Sequence, residues 1–173
     1  MGERHSKALE YKKEYIGFDI SKEAITKAED EYLVDNILAD SREVDFSMLE
    51  YDSLVTCPPY WNLEKYANDN GIDRHKSFED FLMDLDFIFK NVYDNAPINS
   101  IFCVMVGNWR KSGIYYDLEN KVSNMFYSYG AKIFDKVIVS RKKVSKINIM
   151  LQQCKRLGYS VNVNEHLLIF KKV

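Results

Sequence analysis

Apolar positions along this chain switch repeatedly between the spacing of a helix and that of a buried strand, and the switches mark out its elements. Residues 3 to 13 are charged at most positions and read as the end of a helix, with Tyr15 to Ile20 as a short strand after it. Ser21 then stands as an N-cap before a helical stretch from Glu23 to Tyr32. A second apolar run, Ile37-Leu38-Ala39, ends in Asp40-Ser41, and a small helix is expected around Val44 to Leu49. Ser77 opens a long amphipathic helix in which Phe78, Phe81, Leu82, Leu85, Phe89 and Val92 share one face, a stripe that reads as core. Asn95-Ala96-Pro97 closes it, and Ser100 to Val106 is a continuous apolar run of the kind a central parallel strand shows. A helix from Tyr116 to Tyr129 closed by Gly130, a strand from Lys132 to Val139, a basic helical stretch from 143 to 157 and a last strand from Val161 to Phe170 complete the pattern. Strands alternating with helices at this spacing predict an α/β fold with a largely parallel, doubly wound sheet.

One break in the pattern carries candidate chemistry. Ser53-Leu54-Val55 runs directly into Thr56-Cys57-Pro58-Pro59-Tyr60-Trp61. Proline supplies no ladder donor and holds the residue before it extended, so the strand stops there in a rigid turn. That turn sets a thiol, carbonyls unclaimed by sheet or helix, and two aromatic faces at the carboxyl end of a strand, where open α/β sheets bind ligands. The alternative on the residues alone is a proline-stiffened core strand with an inert buried cysteine, which leaves Tyr60 and Trp61 unexplained. Downstream, residues 67 to 76 have few apolar anchors and read as a mobile loop.

Composition narrows the classes. A chain of 173 residues suffices for one domain with a proper core, so a single domain over 1–173 is expected, with a basic helical insert at about 141–158. The sequence has no apolar run long enough to cross a membrane and a charged, polar amino terminus, which together predict a cytoplasmic protein. Cys57, Cys103 and Cys154 are widely spaced with no Cys-x-x-Cys pair, which argues against a disulfide framework and against a metal site. Net charge is −2, so any nucleic-acid surface has to be local. Lys136, Arg141, Lys142, Lys143, Lys146, Lys155 and Arg156 make the last third the basic part.

The stretch LVTCPPYWNLEKY resembles the Pro-Pro-Tyr catalytic loop of the amino-group DNA methyltransferases, bacterial or phage-encoded enzymes of restriction-modification type. The resemblance takes in Tyr15-Ile16-Gly17-Phe18-Asp19, Val106-Gly107-Asn108, Tyr115-Tyr116-Asp117 and Asn164-Glu165-His166-Leu167-Leu168-Ile169-Phe170. It implies a Rossmann-like class I methyltransferase sheet whose last strand enters antiparallel, S-adenosyl-L-methionine as cofactor, and DNA with a flipped target base as partner. Asp19 and Ile20 would then meet the cofactor ribose, and Asp40 and Ser41 its adenine. On the residues alone, capping of the next helix is the plainer role for Asp19, and a capped turn serves equally for Asp40-Ser41.

An exocyclic amine is a poor nucleophile because its lone pair is delocalised into the ring. Acceptors for both N–H groups draw the nitrogen towards tetrahedral geometry and localise that pair. The resemblance assigns those acceptors to Cys57 and the Pro58 carbonyl, at the cofactor, and stacking on the flipped base to Tyr60, with Pro59 stiffening the turn. Trp61, Asn62, Tyr66 and Asn108 would line the substrate side, and Lys142, Lys143, Lys146 and Arg156 would meet phosphates. Cys57 departs from the family's commoner Asp, Asn or Ser, and a neutral thiol accepts hydrogen bonds weakly. The resemblance also implies a first strand and a glycine-rich turn ahead of the first helix, of which Gly2-Glu3-Arg4 matches only the tail. The expectation is an N-terminally truncated sheet, with that turn supplied by a missing segment or by another chain. Alternatives are a catalytically silent nucleic-acid-binding subunit and an RNA or protein amine methyltransferase.

Overall fold

Ser21 starts a helix as its position predicts: its Oγ accepts from the Ala24 N–H at 3.2 Å, satisfying one of the helix's free donors. Ser77 does the same for the Asp80 N–H at 3.0 Å. The computed structural model describes residues 2–63, 70–140, 147–160 and 164–173; Tyr66, Lys142, Lys143 and Lys146 lie outside these. The chain divides into two compact units, Met1–Leu49 with Pro59–Ile88, and Glu50–Pro58 with Phe89–Val173.

The first unit contains α1 (Gly2–Glu10), β1 (Phe18–Asp19), α2 (Lys22–Tyr32), β2 (Ile37–Leu38) and the first part of α3 (Phe78–Asn95). β1 and β2 pair in parallel, Phe18 opposite Ile37 and Asp19 opposite Leu38. Both are shorter than the expected strands at Tyr15 to Ile20 and Ile37 to Ala39. Each has a strand partner on one side only among the described residues, and a lone parallel pair holds few residues extended. The expected small helix near Val44 is a 3₁₀ turn, Phe46–Met48, capped by Asp45. A second 3₁₀ turn, Ile72–Arg74, corrects the expectation of a mobile polar loop: Gly71, Ile72 and Asp73 are buried. Phe81 and Leu85 on α3 are buried as their spacing predicts.

The second unit holds β3 (Ser53–Thr56), the end of α3, β4 (Ile101–Gly107), β5 (Trp109–Lys111), β6 (Ile114–Tyr116), α4 (Leu118–Ser128), β7 (Lys132–Ser140), α5 (Ile147–Leu157) and β8 (Asn164–Lys171). Its main sheet has the order β3-β4-β8-β7. β3 runs parallel to β4, and β8 runs antiparallel to both β4 and β7, so only the last strand of the chain is reversed within this sheet. Phe102, Val104 and Val106 alternate onto one fully buried face of β4, where Phe102 meets Phe126 of α4. Phe126 also stacks on Phe170 of β8 at 4.5 Å. Lys172 donates to the carbonyls of Tyr93 and Ala96, both at 2.7 Å, and so satisfies the free acceptors at the end of α3.

The β5–β6 hairpin was not among the expected elements. Trp109 pairs with Tyr116 and Lys111 with Ile114 across a two-residue turn of Ser112 (φ 51°) and Gly113 (φ 83°). Positive φ at both turn residues matches the twist of the flanking strands, and glycine adopts it without steric cost.

Candidate functional site

In the second unit, β3 delivers the Pro-Pro turn. Thr56 is still paired in parallel with Val104, and the chain leaves the ladder at half-buried Cys57 and buried Pro58. Cys57 and the Pro58 carbonyl therefore follow the carboxyl end of a parallel strand pair. None of the three cysteines is in a disulfide. Asn108, just past the end of β4, has its side-chain oxygen accepting from the Glu119 N–H at 2.9 Å, which fixes the first turn of α4. The Glu119 carboxylate lies between the Lys136 ammonium and the His166 Nδ1, the latter at 3.1 Å. Arg156, on the last turn of α5, is exposed.

In the first unit, Pro59 is half-buried and Tyr60 and Trp61 are buried. The Trp61 indole N–H donates to the His75 carbonyl at 2.8 Å, and its ring lies 5.7 Å from Phe78. Trp61 thus anchors its own unit, which gives its burial a structural cause. Asn62, in the left-handed region at φ 52°, donates its N–H to the Asp73 carbonyl at 3.3 Å. These bonds hold the 70–75 segment, and the bare Cα of Gly71 faces the end of β1: a β-carbon there would stand 3.5 Å from Ile20 Cδ1 and 2.2 Å from Asp73 Oδ1.

Asp19 and Asp40 stand at the ends of the paired strands β1 and β2, as their sequence positions predict, but their oxygens are used differently. Asp19 accepts from the Ser21 N–H at 2.9 Å through Oδ1 alone, so the cap leaves Oδ2 for another donor. Asp40 is engaged at both oxygens by Arg42: Oδ1 accepts from its backbone N–H and Nε, Oδ2 from Nε and from Nη2 at 2.6 Å. Those bonds occupy the acceptor sites a carboxylate has. Arg42 also donates to Asp84 on α3 at 2.8 Å and to the Asn70 carbonyl at 2.9 Å, while His75 Nε2 meets the same Asp84 oxygen at 2.8 Å. One guanidinium therefore ties the end of β2 to the 70–75 segment and to α3. Ser41, between Asp40 and Arg42 in the chain, is half-buried.

The clamp sets local titration. Bonds from Arg42 hold the Asp40 carboxyl below the usual carboxylate range. Burial pushes Asp84 up, but bonds from His75 and Arg42 outweigh it and leave that carboxyl lowered as well. Burial raises Asp73, against its own backbone N–H and Arg74. A carboxyl whose folded pKa is lowered contributes stability that is present above its unfolded pKa and lost as pH falls through the folded one. Arg42→Ala is expected to cost about 1–3 kcal/mol at neutral pH and to flatten the loss of stability as pH falls through and below the ordinary carboxylate range. Urea unfolding at several pH values checks this; an unchanged acid limb would show that Asp40 and Asp84 owe nothing to Arg42.

Arg42, His75 and Asp84 were not singled out in the sequence. Arg42 stands two residues from Asp40, a visible signal, but its link to Asp84 joins residues far apart in the chain and has no local signature. Among the described residues no group of His, Cys, Asp and Glu is arranged to hold a metal ion, and no helix is long and apolar enough to cross a membrane.

The fold these units carry is the α/β, Rossmann-like fold of S-adenosylmethionine-dependent methyltransferases. It is shared with TTHA0409 of Thermus thermophilus, solved in complex with S-adenosyl-L-methionine, at a TM-score of 0.55 and 20% identity over 78% of this chain and 53% of that one. The PvuII DNA methyltransferase, cytosine-N4-specific, gives a TM-score of 0.55 and 15% identity over 78% of this chain and 48% of that one. In sequence, the chain is 28% identical over 81 residues to the type II methyltransferase M.SmaI of Serratia marcescens, a match spanning 46% of this chain and 28% of that protein. The chain thus spans about half the length of the first two and less of the third. No family model matches it.

Proposed function

We propose that this chain carries an S-adenosylmethionine-dependent DNA methyltransferase site that methylates the exocyclic amine of adenine or cytosine. The observation that carries the reading is the Cys57-Pro58-Pro59-Tyr60 turn at the carboxyl end of the parallel strand β3. The similarity to M.SmaI and the fold shared with the PvuII enzyme support DNA as the substrate.

In this reading Cys57 and the Pro58 carbonyl accept the two amine hydrogens, and Tyr60 offers its ring to the base. Trp61 and Asn62 position that ring through their bonds to the 70–75 segment. Asn108, whose side-chain oxygen serves α4, contributes by fixing the end of β4. Tyr66, Lys142, Lys143, Lys146 and Arg156 would reach the polynucleotide. The cofactor, when bound, supplies an electrophilic methyl group. Asp19 fits its ribose because Oδ2 is not used by the cap, with Ile20 beside it. Asp40 fits adenine less directly: Arg42 occupies its oxygens, so it acts by holding Ser41 and the 70–75 segment in place.

The cofactor assignment is tested at Asp19. Asp19→Asn keeps an acceptor for the Ser21 N–H and removes the charge, whereas Asp19→Ala removes both. Asp19→Ala is expected to weaken S-adenosylmethionine binding by about 1.5–3 kcal/mol, with Asp19→Asn between it and the wild type. Calorimetry reads the difference. Unchanged affinity in both variants would remove Asp19 from the site, and no binding by the wild type would favour a silent nucleic-acid-binding subunit. Incubation with labelled cofactor and a panel of DNA, RNA and protein substrates identifies the acceptor.

A further inference from the structure

We propose that the β5–β6 hairpin, with Tyr159 beside it, is a nucleic-acid-binding surface on which an unstacked base rests. The proposal deepens the DNA reading above and rests on it for the nature of the polyanion. Arg110, Tyr115 and Tyr159, which carry it, are not among the site residues that the Pro-Pro-Tyr resemblance assigns.

Arg110, exposed on β5, has its guanidinium carbon 5.0 Å from the ring centre of Tyr115 and 4.6 Å from that of Tyr159. A planar cation packed against two aromatic rings is preorganised, because little side-chain freedom is left to lose when a base comes to rest on the same surface. Nη1 donates to the Gly113 carbonyl at 3.2 Å, which pins the guanidinium to the turn. Below the tip, buried Trp109 stacks on Tyr116 at 5.2 Å with ring planes 17° apart, so the hairpin has a rigid base. Tyr115 is nonetheless 45% exposed and Ile114 58%, so the hairpin tip presents apolar surface to solvent.

Charge favours a polyanion as the occupant. The Gly158 and Tyr159 N–H groups both donate to the Cys154 carbonyl, folding Tyr159 back on the last turn of α5, where Lys155 and Arg156 are exposed. Among the described residues none of Arg110, Lys155 and Arg156 has a carboxylate partner. The acidic residues nearest Arg110 along the chain are already engaged: Asp117 caps α4 and Glu119 is bound by Lys136 and His166. The face therefore combines aromatic planes with unneutralised cations, which suits bases and phosphates together. β5 also begins directly beyond the carboxyl end of β4, the side of such sheets on which ligands bind.

Fluorescence anisotropy with a labelled single-stranded oligonucleotide, and with the duplex of the same sequence, tests the surface in the whole chain. Arg110→Ala and Tyr115→Ala are each expected to weaken single-strand binding about tenfold or more. Tyr115→Phe should bind like the wild type, and Arg110→Lys should keep the salt dependence while losing affinity. Arg110→Glu alters only an exposed side chain, so it tests the surface even where Tyr115→Ala fails to fold. Wild-type affinity in Arg110→Ala, Arg110→Glu and any folded Tyr115→Ala overturns this surface and leaves the DNA reading standing. A wild type that binds neither oligonucleotide overturns both. Displacement of the strand by poly-glutamate as effectively as by oligothymidylate would show charge attraction alone and also overturn the proposal.

Discussion

Phe126→Ala is expected to destabilise the second unit by about 3–5 kcal/mol, the range for emptying a fully buried aromatic site. Phe126 is completely buried and touches rings from three elements besides its own: Phe89 and Tyr93 of α3, Phe102 of β4 and Phe170 of β8. Its ring stacks on Phe170 with planes only 4° apart, so the lost contacts are broad, and rings fixed from several sides relax poorly into the gap. Phe126→Leu keeps most of the volume and should cost roughly 1–2 kcal/mol. Urea titration followed by circular dichroism should show the midpoint falling with little change in slope. A loss under about 1 kcal/mol for Phe126→Ala would mean that this cluster is not the core of its unit.

Part of that core was legible, because Phe89 belongs to a stripe that repeats at helical spacing along α3. Phe81, Leu85, Phe89 and Val92 on α3, and the continuous apolar run that becomes β4, are local patterns, and the caps at Ser21 and Ser77 are local chemistry. The reversal of β8 was not local. Leu167 to Phe170 reads as a strand in either direction, and only the family resemblance implied the antiparallel pairing that is observed with β4 and β7. The hairpin escaped because Trp109 to Tyr116 is apolar at its ends and polar within, with no run long enough to read as two strands. Its clue was Ser112-Gly113, a turn pair between aromatic residues.

The 70–75 segment was misread for a related reason. Its polar composition predicts exposure, but its carbonyls are taken by Arg42, Asn62 and Trp61, and burial follows once those acceptors are satisfied. The same arginine changes what Asp40 can do. A strand-end carboxylate reads as an acceptor for a ligand, whereas a guanidinium bound at both oxygens makes it a brace. Asp19 shows the opposite outcome, since its helix-capping bond uses one oxygen and leaves the ligand role compatible with the structural one.

Cys57→Ser and Cys57→Asp should retain or exceed wild-type methyl transfer if Cys57 serves as an amine acceptor. Oxygen accepts a hydrogen bond better than a neutral thiol sulfur, and a carboxylate better still. An acceptor strengthened in this way draws the amine nitrogen further towards tetrahedral geometry, so Cys57→Asp should be at least as fast as Cys57→Ser. Cys57→Ala would remove the side-chain acceptor and leave the Pro58 carbonyl alone, with a loss of about twofold to tenfold for one missing neutral hydrogen bond of roughly 0.5–1.5 kcal/mol. A covalent role predicts the reverse. A thiol attacking carbon 6 of a pyrimidine activates carbon 5 for methylation, and neither a serine hydroxyl nor an aspartate has thiolate-like reactivity in that step, so both variants would be dead. The protein is incubated with DNA and labelled S-adenosylmethionine, and the methylated nucleoside is identified by mass spectrometry. N6-methyladenine or N4-methylcytosine from active Ser and Asp variants supports the amine reading, whereas 5-methylcytosine from the wild type with both variants inactive sinks it.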